Sequence, residues 1–367
     1  MGDDSTDPDP QGDAIVAAMT DLLADVPCQA DVDPTTTSAN LLPLHLLESE
    51  IGGLAEIDMS NDTLLTAVAG GFNMVDISDP QAPLIIGQYL EDSGRPLDVK
   101  FSPDNMTALY GRGHGIEMVD IRDPQQMTHV GSWLFGDAAL PGANAHMLDT
   151  ARIAGQDWVF LAPNTNTGIW IFKLNGPPDA RELEFVTQTL PVQGGVIGPH
   201  DMVVHNDRDL GWVLYSADGF HGWSAWDIND PASPQRIGGL WKPESGYLHT
   251  IQAGYLENTR VVVTSSEVGG NLMQVFDATD LAAPVLLAVW ATDQAGGAAS
   301  PQHNFNVVDN FLYIAHYGVG VLIFDLTPFA EPDLPLLATM DLAPVAVYRP
   351  SSGGGYASFW DVVVRNG

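Results

Sequence analysis

Four histidines carry the strongest chemical signal in this sequence. His146, His200, His249 and His303 are spaced by 54 (146 to 200), 49 (200 to 249) and 54 (249 to 303) residues. Each opens a short β-like run: HMLD, HDMVV, HTIQA and HNFNV. Imidazole is the commonest nitrogen ligand, and an all-nitrogen set suits Fe, Cu, Mn or Zn rather than Mg or Ca. Iron or copper would supply redox or oxygen chemistry, and these two are favoured. A ligating imidazole needs an acceptor on its other ring nitrogen. Asp201, Asp218, Glu267 and the Asn164/Asn166 pair fall where they could serve. Asp218, Glu267 and His316 are the candidates for catalytic groups beside such a metal. The structural alternative is that each His caps a strand and binds water or a neighbouring carbonyl.

Other chemistry is sparse. Ser265 and Ser266 precede Glu267, but no nucleophile elbow surrounds them. The GGG at 353–355 lacks the following helix and Lys of a phosphate-binding loop. Cys28 is the only cysteine, so neither an intrachain disulfide nor a Cys-based zinc site can form.

The elements that must position the histidines come from a repeat. MVDISDPQAP (74–83), MVDIRDPQQM (118–127), AWDINDPASP (225–234) and VFDATDLAAP (275–284) are copies of one phrase. IFKLNGPPDA (171–180) and IFDLTPFAEP (323–332) are weaker copies, and each copy is followed by another β run. Asp76 to Asp120 is 44 residues and Asp227 to Asp277 is 50. Periods of this size with four strands apiece describe propeller blades. The Asp and the D-P pair stop a strand, since Asp accepts turn N–H groups and Pro removes a donor.

The expected fold is therefore all-β, a six- or seven-bladed propeller over residues 41–367. Its innermost strands begin at Leu54, Leu97, the four histidines and Trp360. SFWDVVVRNG near the end reads as the first strand of a further blade. Inner strands line the channel, so the four imidazoles should meet at one mouth. The second strand of each blade ends beside them and brings His114, Asn164, Asn166, Asp218, His221, Glu267 and His316 to the same face. His45, His129 and His205 belong elsewhere. The Trp residues should pack between blades, with Phe220 and Trp223 free to touch a ligand at the His face. Residues 1–40 read as an acidic tail, a short amphipathic helix at 13–26 and a linker.

The phrases MVDISDP, MVDIRDP and AWDINDP resemble the LVIVD-repeat family, and the resemblance spans roughly residues 41–367. It implies a β-propeller and, from the family's usual setting, a secreted, periplasmic or cell-surface protein. In ligand type and placement the four histidines look like the carotenoid-cleavage oxygenases, which hold ferrous iron on four His. DISDPQAP and the inner-strand His give a weaker similarity to the selenium-binding-protein (methanethiol oxidase) family. Cys28 lies outside the repeats, against a thiol mechanism.

Charge narrows the partners. With 47 acidic and 13 basic residues the chain carries a formal charge of −34, which repels nucleic acid and anionic lipid. No apolar run reaches membrane-span length. No segment has the spacing of a calcium loop. The opening GDDSTDPDPQGD after Met1 suits an exported protein whose leader has been replaced. The expectation is a monomeric, metal-dependent redox or oxygenase-like enzyme acting on a small molecule or glycan. The alternatives are a non-catalytic extracellular scaffold, or a metal-dependent polysaccharide lyase or hydrolase using a basic patch near Arg95, Arg112 and Arg152.

Overall fold

The computed structural model describes residues 56–91, 96–136, 144–165, 167–189, 199–241, 247–268, 272–291, 302–316, 320–330, 346–348 and 361–364. The predicted helix at 13–26 lies outside them. Six four-stranded antiparallel sheets follow one another along the chain. Blade 1 comprises β1 (Ile57–Ser60), β2 (Thr63–Val68), β3 (Gly71–Asp76) and β4 (Leu84–Leu90). Blade 2 comprises β5 (Asp98–Phe101), β6 (Thr107–Arg112), β7 (Gly115–Asp120) and β8 (Thr128–Leu134). Blade 3 comprises β9 (Met147–Ile153), β10 (Gln156–Ala162), β11 (Trp170–Asn175) and β12 (Glu182–Gln188). Blade 4 comprises β13 (Asp201–Asp207), β14 (Gly211–Ala217), β15 (Gly222–Asp227) and β16 (Gln235–Trp241). Blade 5 comprises β17 (Tyr247–Leu256), β18 (Thr259–Val268), β19 (Leu272–Asp277) and β20 (Val285–Ala291). Blade 6 comprises β21 (Gln302–Val308), β22 (Phe311–His316), β23 (Gly320–Asp325) and β24 (Ala346–Tyr348). The chain is an all-β, six-bladed propeller. Among the described residues no helix is long and apolar enough to cross a membrane.

The repeated Asp residues do what their place in the phrase predicts. At the end of the third strand, Asp76, Asp120, Asp227, Asp277 and Asp325 accept the N–H two residues on, at 2.8–3.1 Å. Three residues later Asp79, Asp123, Asp230 and Asp280 repeat the same turn at 2.9–3.2 Å. These are Asx turns that end one strand and aim the next. In each of blades 1–5 the third and fourth strands then slip register by one bulge, which adds twist.

Blades join through the apolar faces of their strands. Tyr215 and Trp223 of blade 4 pack on Phe276 of blade 5. Trp290 of blade 5 meets Phe324 of blade 6 edge to face, with centroids 4.8 Å apart. The outer strands approach so closely that a Cβ on Gly87 would lie 2.2 Å from the carbonyl oxygen of Pro124 in the next blade's turn.

Around the channel, the inner strands of blades 1–4 are each tied to the next by a carboxylate. Asp58 accepts from Phe101 N (2.7 Å), Asp98 from Leu148 N (2.6 Å), Asp149 from Val204 N (2.7 Å) and Asp201 from Ile251 N (3.3 Å). Asp98, Asp149 and Asp201 also bind the N–H of their own following residue, at 2.7 Å. Asp361 repeats both contacts, to Val362 N (2.8 Å) and to Ile57 N (3.1 Å) of blade 1. Residues 361–364 thus take the seat of an inner strand preceding blade 1. Over these residues the predicted extra strand does not form a sheet ladder, and six four-stranded blades make up the propeller.

Candidate functional site at the histidine mouth

The repeat register brings the four imidazoles together. Ring centroids of His146 and His200 are 4.2 Å apart, those of His200 and His249 4.1 Å, and those of His249 and His303 4.6 Å. They form one arc across four consecutive blades, at the end where the inner strands start. There His200 N–H donates to the carbonyl of Ala217, the last residue of β14, and Gln302 pairs with His316 at the end of β22. His200, His249 and His303 are buried, and His146 is partly so.

Burial sets their charge. Desolvation holds the pKa of His146 down to about 4. His200 and His249 lie well below the ordinary value, from burial first and then from the neighbouring imidazoles. At neutral pH these rings are uncharged, and each has one nitrogen lone pair.

Hydrogen bonds decide which nitrogen carries the lone pair. His200 Nδ1–H donates to the carbonyl of His249 at 3.1 Å. His249 Nδ1 lies 2.7 Å from Thr250 Oγ1, whose own hydrogen goes to Asn304 Oδ1 at 3.2 Å. Thr250 is therefore the acceptor and His249 Nδ1 the donor. Asn304 Nδ2 donates to Glu56 Oε2 at 2.5 Å, and Glu56 Oε1 lies 3.9 Å from His303 Nδ1. For His200 and His249 the lone pair falls on Nε2. A buried chain, His249–Thr250–Asn304–Glu56–His303, thus backs half of the arc. Glu56 is pushed well above the usual carboxylate range, by burial and then by the charge of Asp361.

This chain was not legible in the sequence. Thr250 and Asn304 directly follow the histidines and share the inner-strand repeat position of Asp201. That shared position was the available signal. Glu56 comes from blade 1, where no histidine marks the strand.

The residues expected to orient the histidines are otherwise engaged. Asp201 is spent on the tie between blades. Asp218 accepts from Ser216 Oγ at 2.7 Å and faces Ser224, and burial raises its pKa to about 6. Glu267 falls within β18, but its side chain is outside the described residues, as is Asn166. Asn164 Oδ1 meets the Tyr247 hydroxyl at 3.4 Å. His316 is buried, with its pKa down to about 4 through desolvation. His114 joins Glu117 (2.9 Å), whose other oxygen holds His129 at 2.8 Å, so it forms a separate blade 2 cluster. Trp223 is buried between blades, whereas Phe220 and Trp241 are exposed. The expected basic patch is neutralised where it is described: Arg112 pairs with Glu91 at 3.1 Å and Arg152 with Asp157 at 2.6 Å.

Beyond the arc the channel holds carboxylates. Glu56, Asp58, Asp98, Asp149, Asp201 and Asp361 surround Lys100, which meets Asp98 at 3.3 Å. Most of them line a cavity of about 400 Å³ with Lys100, opening away from the histidines. Desolvation raises Asp98 and Asp149 to about 6 and Asp201 to about 8.

The fit to a metal has two sides. A ligand nitrogen about 2 Å from an ion puts its ring centroid about 3.2 Å away, so two ligands at right angles have centroids about 4.5 Å apart. The three spacings in the arc match that value. Among the described residues, however, no group of three or more His, Cys, Asp or Glu has its donor atoms gathered round one point as a bound ion requires.

Fold and motif define the class of protein, a six-bladed β-propeller in which one blade matches an LVIVD repeat. The LVIVD repeat profile matches residues 64–91, which are most of blade 1. No curated protein matches the chain. A crystal structure of a protein from Lactobacillus plantarum is similar at 15% identity, covering 82% of this chain and 88% of that one, with a TM-score of 0.56. Saccharomyces cerevisiae Sqt1 is similar at 12% identity, with coverage of 75% and 72% and a TM-score of 0.53. The Cps50 (Swd1) β-propeller domain of Myceliophteria thermophila is similar at 12% identity, with coverage of 76% and 84% and a TM-score of 0.51. At these identities the likeness is one of fold alone.

Proposed function

We propose that His146, His200, His249 and His303 bind a transition-metal ion, iron or copper before manganese or zinc, and that the protein is an exported metal-dependent oxidoreductase. The observation that carries this is the arc of four imidazoles from four successive blades, with neighbouring centroids 4.1–4.6 Å apart. Packing four such rings side by side, three of them buried, is costly for a cap and useful for a ligand set. His200 and His249 have Nδ1 committed to acceptors, which leaves Nε2 as the ligating atom. A metal there would supply Lewis acidity or electron transfer. The protein's part is to hold the rings, keep them neutral and exclude water through the surrounding strands. Gathering the four nitrogens requires side-chain rotation within the arc.

Elemental analysis of the full chain, purified without a polyhistidine tag, tests this. The expected result is about one equivalent of a transition metal, lost in His249→Ala. A content below about a tenth of an equivalent, with no gain on reconstitution, overturns it. A non-catalytic scaffold would then be the better reading, and partner binding would survive His200→Ala and His249→Ala.

A further inference from the structure

We propose that the rim of blade 4 beside the histidine arc is a docking platform for a neutral or cationic aromatic molecule, such as a phenol or an aromatic amine. The proposal rests on the reading of the arc as the reactive centre, whose substrate class it specifies. Phe220 and Trp241 are 43% and 46% exposed, among the few large apolar side chains of the described residues left open to solvent. Both lie at the histidine mouth, Phe220 in the β14–β15 turn and Trp241 at the end of β16, where it pairs with Gly222. Trp241 stacks on His221, with centroids 5.1 Å apart and planes 23° apart. Phe220 meets Tyr247 edge to face at 5.1 Å, and Tyr247 meets His200 edge to face at 5.5 Å. A row of rings thus leads from solvent to the second imidazole of the arc.

The geometry favours an arene over a sugar. Aromatic quadrupoles favour edge-to-face and offset stacks, so the row offers an incoming ring the contacts its own members already make. A saccharide needs convergent hydroxyl partners. Two polar groups near the row are engaged within the protein, Asn164 with Tyr247 and Asp218 with Ser216, and the ring nitrogen His221 Nδ1 is buried. Charge narrows the class further. The formal charge of −34 disfavours an aromatic carboxylate and favours a neutral or protonated ligand.

The test uses the full chain stripped of metal with a chelator, so that its outcome is separate from that of the metal assay. Binding of p-cresol, tyramine, 4-hydroxybenzoate and cellobiose is followed by tryptophan fluorescence and by ligand-observed NMR. Expected are saturable binding of p-cresol and tyramine, weaker binding of 4-hydroxybenzoate that recovers in high salt, and no binding of cellobiose. Phe220→Ala and Trp241→Ala should each weaken cresol binding by about three- to tenfold with unchanged thermal unfolding, the size of one aromatic contact. Failure of both arenes to bind, cresol binding by both variants as tight as that of the unsubstituted chain, or selective binding of cellobiose overturns the proposal. Arene binding without stoichiometric metal would leave the platform standing and remove the oxidoreductase reading.

Discussion

At the scale of single residues, the site depends on which nitrogen of each imidazole is protonated. Thr250 fixes this for His249 because its own hydrogen is already given to Asn304. Thr250→Val keeps the shape and removes the acceptor. His249 can then rotate or change tautomer, and metal affinity should fall about 10- to 100-fold. Competition with a chromophoric chelator measures this, and thermal unfolding should move little. Asn304→Leu should act in the same direction, since it also cuts the link to Glu56. His221→Ala lies outside the arc and should leave metal content unchanged.

At the scale of strands, the carboxylate ties give the fold a defined pH response. Asp98 and Asp149 have folded pKa values near 6 because burial penalises their charge. In the unfolded chain they titrate near the usual aspartate value of about 3.9. Between about pH 4 and 6 the folded state holds protons that the unfolded state has released. Their stabilisation is therefore complete below about pH 4 and is lost as pH rises through 6. His146 and His316 act oppositely, since their folded values near 4 make stability rise with pH up to about 6.5. Asp98→Asn retains an oxygen for Leu148 N and should flatten the fall between pH 4 and 6 in denaturant titrations. Lys100 is the counter-ion of this ring. Lys100→Met should cost about 3–5 kcal/mol, the usual penalty for orphaning buried charge, and more at pH 8 than at pH 5.

At the scale of the whole molecule, the excess of acidic residues works against compaction. With a formal charge of −34, unfolding relieves self-repulsion that salt would otherwise screen. The melting temperature should therefore rise between 0.05 and 1 M KCl by several degrees, as followed by calorimetry. An unchanged or falling value would show that the local ion pairs outweigh the global field. The ring also has a closing point. Asp361 ties residues 361–364 to blade 1 in the way blades 1–4 are each tied to their successors.

The sequence by itself determined the blades, because β-strand alternation and Asx–Pro turns are local and repeat with the chain. Its period also put His146, His200, His249 and His303 at one mouth, since equivalent positions of successive blades must face the same axis. What the period cannot encode is direction around the ring. Thr250, Asn304 and Glu56 become one hydrogen-bonded chain only when blade 5 meets blade 6 and the last blade comes round to the first. Asp218, close to the histidines by register, is turned instead to Ser216 and Ser224 of its own sheet. Tertiary packing decided these points, because side-chain partners across blades depend on the closure of the ring, and no window of sequence contains both sides of it.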